Sequence, residues 1–456
     1  MFALTKSFRI RHKKTVHLFR ERAVPLSTTE HDKDTDSGSE QRTGDDAVRA
    51  RSPFYALTFR NFRLFFIGQF ISVIGTWMQT VAQQWVVYEL TGKAVWLGIV
   101  SGASAIPYVI FAIWGGQIAD RYPRRTTLLV TQTAAMILAA CLAVLASGIV
   151  IKMQAWHIAV LAGLHGVVNA FNMPAQQALV ADIVEDKTAL GNAIALNSLR
   201  FNVARFIGPA LAGTALVTVG ATACFWLNAL SFVAVIFSLA LIRTRPFVAR
   251  DVRDLRISQG LAYIWRVHSI LRVYLLLAVA SLFTWSISTI YPLLSDQFGK
   301  AEGGYSAMMS AQGAGAALGG FAMTMVGTRF PRRLLVYGGV VLQSVALIFL
   351  AMSRFYPLVL ICLAFNGIAL ITFAISANTK VQEEVPDELR GRVMAVYSLV
   401  QGSMTPLGGL LIGLAAEPEN AGVKGAIGLF AGSCFVISLL LWIWSGYDCR
   451  PHTATG

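Results

Sequence analysis

The chain contains the segment Asp120-Arg121-Tyr122-Pro123-Arg124-Arg125 after one long apolar block and the related segment Thr328-Arg329-Phe330-Pro331-Arg332-Arg333 after another. A second set of residues recurs about 200 positions later in the chain. It pairs Gly191, Ala195, Ser198, Leu199, Gly208, Leu211 and Gly213 with Gly391, Ala395, Ser398, Leu399, Gly408, Leu411 and Gly413. Repetition over this distance indicates that one structural unit has been duplicated. We therefore expect two halves of similar fold.

The composition places this chain in a lipid bilayer. Hydrophobic residues make up 55% of its 456 residues and charged residues only 14%, well below the roughly 25% that is usual for soluble domains. Many apolar runs reach about 20 residues, which is enough to cross a bilayer as a helix. Short alternating segments typical of a membrane barrel are absent. We predict an all-α polytopic membrane protein with twelve transmembrane helices in two pseudo-symmetric six-helix bundles, helix 7 covering Val273–Leu294.

The distribution of charge predicts the topology. Most of the 38 Lys and Arg residues fall in the N-terminal tail and in the loops after even-numbered helices. Positive residues accumulate on the cytoplasmic side, so both termini are predicted to be cytoplasmic in the cell (inner) membrane. The net charge of +14 forms no aromatic-basic stripe, and we expect no nucleic-acid partner. The five cysteines show no disulfide or metal-ligand pattern, and we expect no cofactor.

Five segments are predicted along the chain. They are a cytoplasmic basic tail (1–55), an N-terminal six-helix bundle (56–243), a cytoplasmic linker (244–272), a C-terminal six-helix bundle (273–447) and a short cytoplasmic tail (448–456). Residues 28–52 have a disordered composition. The start of the tail is either a mobile basic segment, a membrane-surface helix or a transit peptide. The linker mixes basic and apolar residues, which is typical of a segment lying on a membrane surface.

The residues before and within the first repeat resemble the major facilitator superfamily. Gly116-Gln117-Ile118-Ala119-Asp120-Arg121-Tyr122-Pro123-Arg124-Arg125 is similar to its signature between helices 2 and 3, with Pro123 where the broad pattern has Gly. Other stretches resemble its enterobactin-exporter-like group: Phe59-Arg60-Asn61-Phe62-Arg63, Glu89-Leu90-Thr91-Gly92, Asn169-Ala170-Phe171, Pro174-Ala175, Asn192-Ala193-Ile194-Ala195-Leu196-Asn197 and Gly208-Pro209-Ala210-Leu211-Ala212-Gly213.

The resemblance implies a conformational latch on the cytoplasmic side. In the superfamily the residue matching Asp120 lies near the start of helix 11, where a carboxylate favours the positive helix N-terminus. The expected latch residues are Gly116, Asp120, Arg121, Arg124, Arg125, Arg390 and Arg392. The alternative is that the arginines only enforce topology and contact lipid phosphates.

Helix 5 contains a second signature. Gly208, Pro209 and Gly213 resemble an antiporter element of the superfamily, with Ala212 in place of one Gly. Small residues allow close helix approach, and a proline kinks a helix. This pattern predicts a seal against leakage; the alternative is ordinary close packing.

Polar side chains within the apolar blocks are the candidates for a substrate cavity. Arg205 lies deep in helix 5 and is expected to bind an anionic cargo, while Arg200 lies nearer the cytoplasmic edge. The candidate set is Gln79, Gln83, His165, Asn169, Asn172, Arg205, Trp285, Tyr291, Asn366 and Tyr397. The alternative for each of them is a bond between helices.

These features predict a secondary transporter, because duplicated halves with a central site suit rocking motion. The resemblance implies a monomeric exporter of a small amphiphilic substrate, a siderophore or a drug, with protons as the coupling ion. No acidic residue lies at the centre of a helix, which leaves Glu89, Asp182 or His165 as proton carriers. Import, and a sensor or assembly protein that keeps the fold without transporting, stay open. An ATP-binding loop and clustered catalytic groups are absent, so we expect no enzyme.

Overall fold

A computed structural model describes residues 54–447 apart from 150, 185, 244–256 and 328. Its regular elements are helices. Twelve of them are numbered here: α1 (Arg60–Thr91), α2 (Ala94–Arg121), α3 (Arg124–Ala146), α4 (Ala155–Ile183), α5 (Leu190–Val219), α6 (Ala221–Leu241), α7 (His268–Gln297), α8 (Ala301–Val326), α9 (Arg332–Met352), α10 (Tyr356–Glu384), α11 (Asp387–Ala415) and α12 (Gly422–Tyr447). The predicted tails at 1–53 and 448–456 lie outside the described residues.

The predicted membrane character is confirmed by these helices. Among the described residues, eleven are long and apolar enough to cross a bilayer. The twelfth, α8, has 26 residues, many of them Gly and Ala, and is not among these eleven. The count of twelve crossings therefore stays a prediction for α8.

Helix α7 is irregular along its length. It begins at His268, earlier than the predicted Val273, and contains a π-helical turn at Ala280–Thr284 and a 3-10 turn at Trp285–Ile290. Hydroxyl side chains compete for backbone carbonyls here, as where Thr284 Oγ1 donates to the Ala280 oxygen at 2.8 Å. Such turns shift the register of the side chains that follow them, and so they set which α7 residues face the centre of the protein.

Glycines allow α2 to lie directly against α4, and α8 against α10. A Cβ atom on Gly115 would lie 1.9 Å from the carbonyl oxygen of Ala170, and one on Gly315 would lie 1.9 Å from that of Ala364. Reciprocal contacts follow at Gly166 against the Ser104 oxygen (2.0 Å) and at Gly367 against the Gln312 oxygen (2.0 Å). Close backbone approach of this kind is how membrane helices associate without a hydrophobic driving force. The contact occurs at equivalent places in both halves.

Part of the predicted linker forms a helix, Ile257–Arg266. A Cβ atom on Gly260 would lie 3.0 Å from Arg392, at the start of α11, and Ile264 is buried in the core beside α7. The described part of the linker therefore packs on the second half of the protein, with Trp265 exposed.

Candidate functional site

A polar cavity of about 230 Å³ lies between the halves. Helices α1 to α4 form most of its wall, and Thr289 of α7 and Thr405 of α11 close it from the second half. Its polar lining consists of Thr76, Gln79, Thr80, Gln83, Gln84, Ser101, Ser104, His165, Thr289 and Thr405. Within this lining there is one imidazole and no carboxylate. The wall offers neutral donors and acceptors to a bound molecule.

Three of the predicted substrate residues line this cavity: Gln79, Gln83 and His165. Gln79 is held in place by Asn228, whose amide nitrogen donates to Gln79 Oε1 at 2.7 Å. Asn169 stands behind His165, with its Nδ2 3.3 Å from the imidazole Nδ1. Sequence reasoning missed the serine and threonine hydroxyls, since small hydroxyl residues are also common at plain helix contacts in membranes.

Three other predicted residues pack inside the bundles and are not part of the cavity wall. Asn172 accepts hydrogen bonds from Thr131 at 3.2 Å and from Gln132 at 3.1 Å. Asn366 is fully buried and accepts a bond from Gln343 at 3.4 Å. Tyr397 is buried with its ring against that of Tyr274, at 6.0 Å between centroids.

Arg205 lies midway along α5, on the boundary between the halves. Its guanidinium carbon is 5.6 Å from the centre of the Trp77 ring of α1. From the second half, Tyr291 is close enough to interact with it electrostatically. The Tyr291 hydroxyl and the Trp285 indole nitrogen are buried without a hydrogen-bond partner in the described part of the chain. Trp285 and Tyr291, the two aromatic substrate candidates in α7, therefore place polar atoms in the protein interior.

One side of the protein carries the connection at Gly92 between α1 and α2, and we call it the Gly92 side. The opposite side, with the turn at Pro123, is called the Pro123 side. On the Gly92 side the halves meet closely: a Cβ atom on Gly413 would lie 2.8 Å from the Ala94 oxygen. One on Gly213 would lie 2.3 Å from the Ser306 Cβ. Gly213, a predicted seal residue, thus contacts the other half.

The other two predicted seal residues lie deeper. A Cβ atom on Gly208 would lie 2.4 Å from the Trp77 Cβ, and Pro209 is buried beside it. Gly208 therefore lets α5 approach α1 next to the aromatic ring that flanks Arg205. This contact lies within the first half.

Two hydrogen bonds also join the halves on the Gly92 side. The carboxylate of Glu417, just after α11, accepts a bond at 2.9 Å from the backbone nitrogen of Val95, in the first turn of α2. The Tyr88 hydroxyl of α1 donates to Asp296 of α7 at 2.7 Å. The first turn of a helix has free N–H groups and a partial positive charge, so a carboxylate is favourable there. Neither acid had a sequence signal, because both follow the apolar block.

The predicted latch residues on the Pro123 side mostly make contacts within their own half. Arg124 forms an ion pair with Asp182 at the end of α4. The equivalent pair in the second half joins Arg332 to Glu383 at 2.9 Å. Asp120 is partly buried and makes no hydrogen bond or ion pair with any residue that the structure describes. Asp182, one possible proton carrier, is therefore engaged by an arginine.

Another predicted latch arginine, Arg125, holds a helix end. Arg125 donates to the backbone oxygens of Leu239 and Ala240, both at 2.7 Å, at the end of α6. Arg333 occupies the same place in the second half, against α12. A cation at a helix C-terminus is favourable because the carbonyls there are unpaired. Arg392 donates to Gln259 of the linker helix. The last arginine of each repeat, Arg125 or Arg333, thus anchors the last helix of its half, a role that the motif alone did not reveal.

Solved structures share the fold of this chain. A POT family transporter bound to 5-aminolevulinic acid superposes with a TM-score of 0.67, covering 86% of this chain and 97% of its own, at 13% identity. At this level of identity the similarity shows the fold that the two chains share.

Comparison with protein families identifies this chain more specifically than its fold does. The family described as "Transmembrane secretion effector" (MFS_3) matches residues 51–453, and this chain belongs to it. The chain is 27% identical over 365 residues to the Staphyloferrin A transporter of Staphylococcus aureus, covering 78% of this chain and 89% of that one. It is 26% identical over 357 residues to the Multidrug efflux pump Tap of Mycolicibacterium fortuitum, covering 75% and 86%. The predicted family resemblance is confirmed, and membership in this family makes the chain a multi-pass membrane transporter and not an enzyme.

Proposed function

We propose that this protein is a secondary exporter that moves a small amphiphilic compound outward across the cytoplasmic membrane by alternating access. The polar cavity between the halves carries the proposal, because both halves contribute to it and it lies below a closely packed Gly92 side. The relatives named for a siderophore and for multidrug efflux support the two cargo classes considered from the sequence. Proton coupling and a monomeric state belong to the proposal as well.

The charge distribution supports an orientation for this mechanism. With both termini cytoplasmic, the Gly92 side faces outward and the Pro123 side faces the cytoplasm. The contacts between α2 and α11 and between α5 and α8 then close the outer entrance. The free carboxylate of Asp120 is consistent with a cytoplasmic latch that is released in this state, since the latch must break when the protein opens inward.

Transport in inverted membrane vesicles tests this function. We expect a proton gradient to drive uptake of a labelled catecholate siderophore or of a fluorescent drug, and we expect Asp120→Asn to abolish it. Asparagine keeps the size of the side chain but removes the charge that favours the α11 N-terminus. The matched control is Glu419→Gln, which neutralises an exposed acid on the Gly92 side. If the wild type takes up no compound of a broad panel, the result would favour the sensor or assembly role instead.

Removal of the Glu417 contact should open the Gly92 side. A carboxylate at a helix N-terminus contributes roughly 0.3–1 kcal/mol, and up to about 2 kcal/mol when it is partly buried. We therefore expect Glu417→Ala to increase, several-fold, the rate at which a membrane-impermeant maleimide modifies Ser101→Cys from the Gly92 side. Ser101 lines the cavity and is shielded there by Gly409 of α11.

Glu419→Ala is the control for this measurement, because its side chain lies two residues further along and is exposed. Equal modification rates in the Glu417 variant and the wild type would show that the Glu417 bond does not hold the Gly92 side closed.

A further inference from the structure

The buried charges are all positive in the part of the chain that the structure describes. Among the residues that the structure describes, the buried charged side chains are Arg200 (5% exposed) and Arg272 (6% exposed). No aspartate or glutamate of the described chain is buried. A cation inside a membrane protein is costly and is normally paired or functional. Each arginine therefore needs an explanation.

Arg272 is satisfied by the protein itself. Its guanidinium donates to the backbone oxygens of His268 at 3.1 Å and Trp444 at 3.5 Å, and lies 5.3 Å from the Trp444 ring. Arg200 differs, because its Nε and Nη1 atoms are buried without a hydrogen-bond partner. Its guanidinium carbon lies 5.7 Å from the centre of the Phe65 ring. An uncompensated positive charge thus remains inside the first half.

Arg205 is a second arginine of α5 without a carboxylate partner among the described residues. Its side chain is partly accessible although it lies at the middle of α5. Trp77 of the first half packs against it and Tyr291 of the second half interacts with it, so Arg205 lies at the boundary between the halves. No carboxylate pairs with it in the described structure. A guanidinium in this position lacks its counter-ion.

We propose that Arg205 binds a carboxylate of the cargo, so that the transported compound is a carboxylate-bearing amphiphile. The inference rests on the proposed export function and names its substrate class. A guanidinium presents a planar fork that matches a carboxylate with two parallel hydrogen bonds. The Tyr291 hydroxyl is buried without a partner among the described residues, so it would supply a further donor to a carboxylate that enters between the halves, and the Trp77 ring would pack against the apolar part of the cargo.

A monoanion fits this site better than a phosphate dianion. Arg200 and Arg205 are five residues apart, which places them about 140° apart around the helix and roughly 7.5 Å apart along it. The two arginines therefore cannot both bind the same anion. Arg200 instead adds positive potential on the Pro123 side of Arg205, which favours an anion along the path to the site.

Binding of a matched pair of probes tests this inference independently of transport. N-dansyl-leucine carries a carboxylate, and N-dansyl-leucinamide replaces it with a neutral amide of similar size. Energy transfer from protein tryptophans to the dansyl group reports binding to detergent-purified protein. We expect the wild type to bind the acid about tenfold more tightly or better, since a charge-assisted hydrogen bond contributes roughly 1.5–3 kcal/mol. Arg205→Gln should abolish this preference and Arg205→Lys should retain part of it.

Arg272→Gln is the control, because it removes another arginine stacked on a tryptophan but satisfied by the protein. It should keep the preference for the acid. The inference is overturned by equal affinities in the wild type, by a preference that survives Arg205→Gln, or by no binding of either probe. Failure of vesicle transport with an intact acid preference would instead count against the exporter function and leave the carboxylate site standing.

Discussion

Replacement of Gly115 by alanine is expected to lower the apparent melting temperature of the purified protein by several degrees and to reduce its monodisperse yield. The added methyl group would meet the carbonyl oxygen of Ala170 at 1.9 Å, so α2 and α4 have to separate. Backbone atoms cannot rotate away as a flexible side chain can. Forcing extra atoms into a packed interior costs roughly 1–3 kcal/mol.

The neighbouring residue provides the control for this experiment. A Cβ atom on Gly116 would have no atom within 4 Å, so Gly116→Ala should keep or slightly raise stability. A helical glycine is otherwise about 0.5–1 kcal/mol less favourable than alanine. Equal melting temperatures for the two variants would show that α2 and α4 do not depend on this close approach. Gly315→Ala should repeat the result in the second half.

The second large effect is expected on transport. Gly213→Val should greatly reduce gradient-driven uptake in inverted vesicles while the protein still folds and inserts. Its side chain would meet Ser306 only when α5 and α8 are together on the Gly92 side, so it penalises one conformation of the cycle. A penalty of about 1–3 kcal/mol shifts the population of that conformation by roughly 5- to 150-fold.

Gly303→Val serves as the comparison, because Gly303 also faces α5 but at an ordinary distance of 4.0 Å from the Val217 side chain. It should transport at close to the wild-type rate. If both valine variants transport normally, Gly213 is an ordinary packing residue and the seal interpretation is wrong.

The sequence predicted the fold because apolar run length and the duplicated Pro-Arg-Arg turn are direct consequences of a bilayer and of a repeat. Side-chain direction was harder to predict. Asn366 and Tyr397 are polar groups on apolar helices, but a helix sequence does not say which face meets the cavity and which meets a neighbouring helix. Arg205 was identifiable because its charge alone makes it exceptional at that depth.

Contacts between residues that lie far apart in the sequence could not be predicted from it. Gly115 has meaning only once Ala170 is known to lie opposite, and Glu417 only once Val95 is known to lie beside it. Both partners are distant in sequence and come from helices that do not adjoin along the chain.

The uncompensated guanidinium of Arg205 also has an electrical consequence. A carboxylate that leaves the cell past this residue carries negative charge out of a negatively charged interior. The membrane potential assists that movement by about 2.3 kcal/mol per 100 mV for each elementary charge. The voltage across the membrane would then supply part of the work of export directly, which reduces the need for a buried acid that picks up and releases a proton in each cycle.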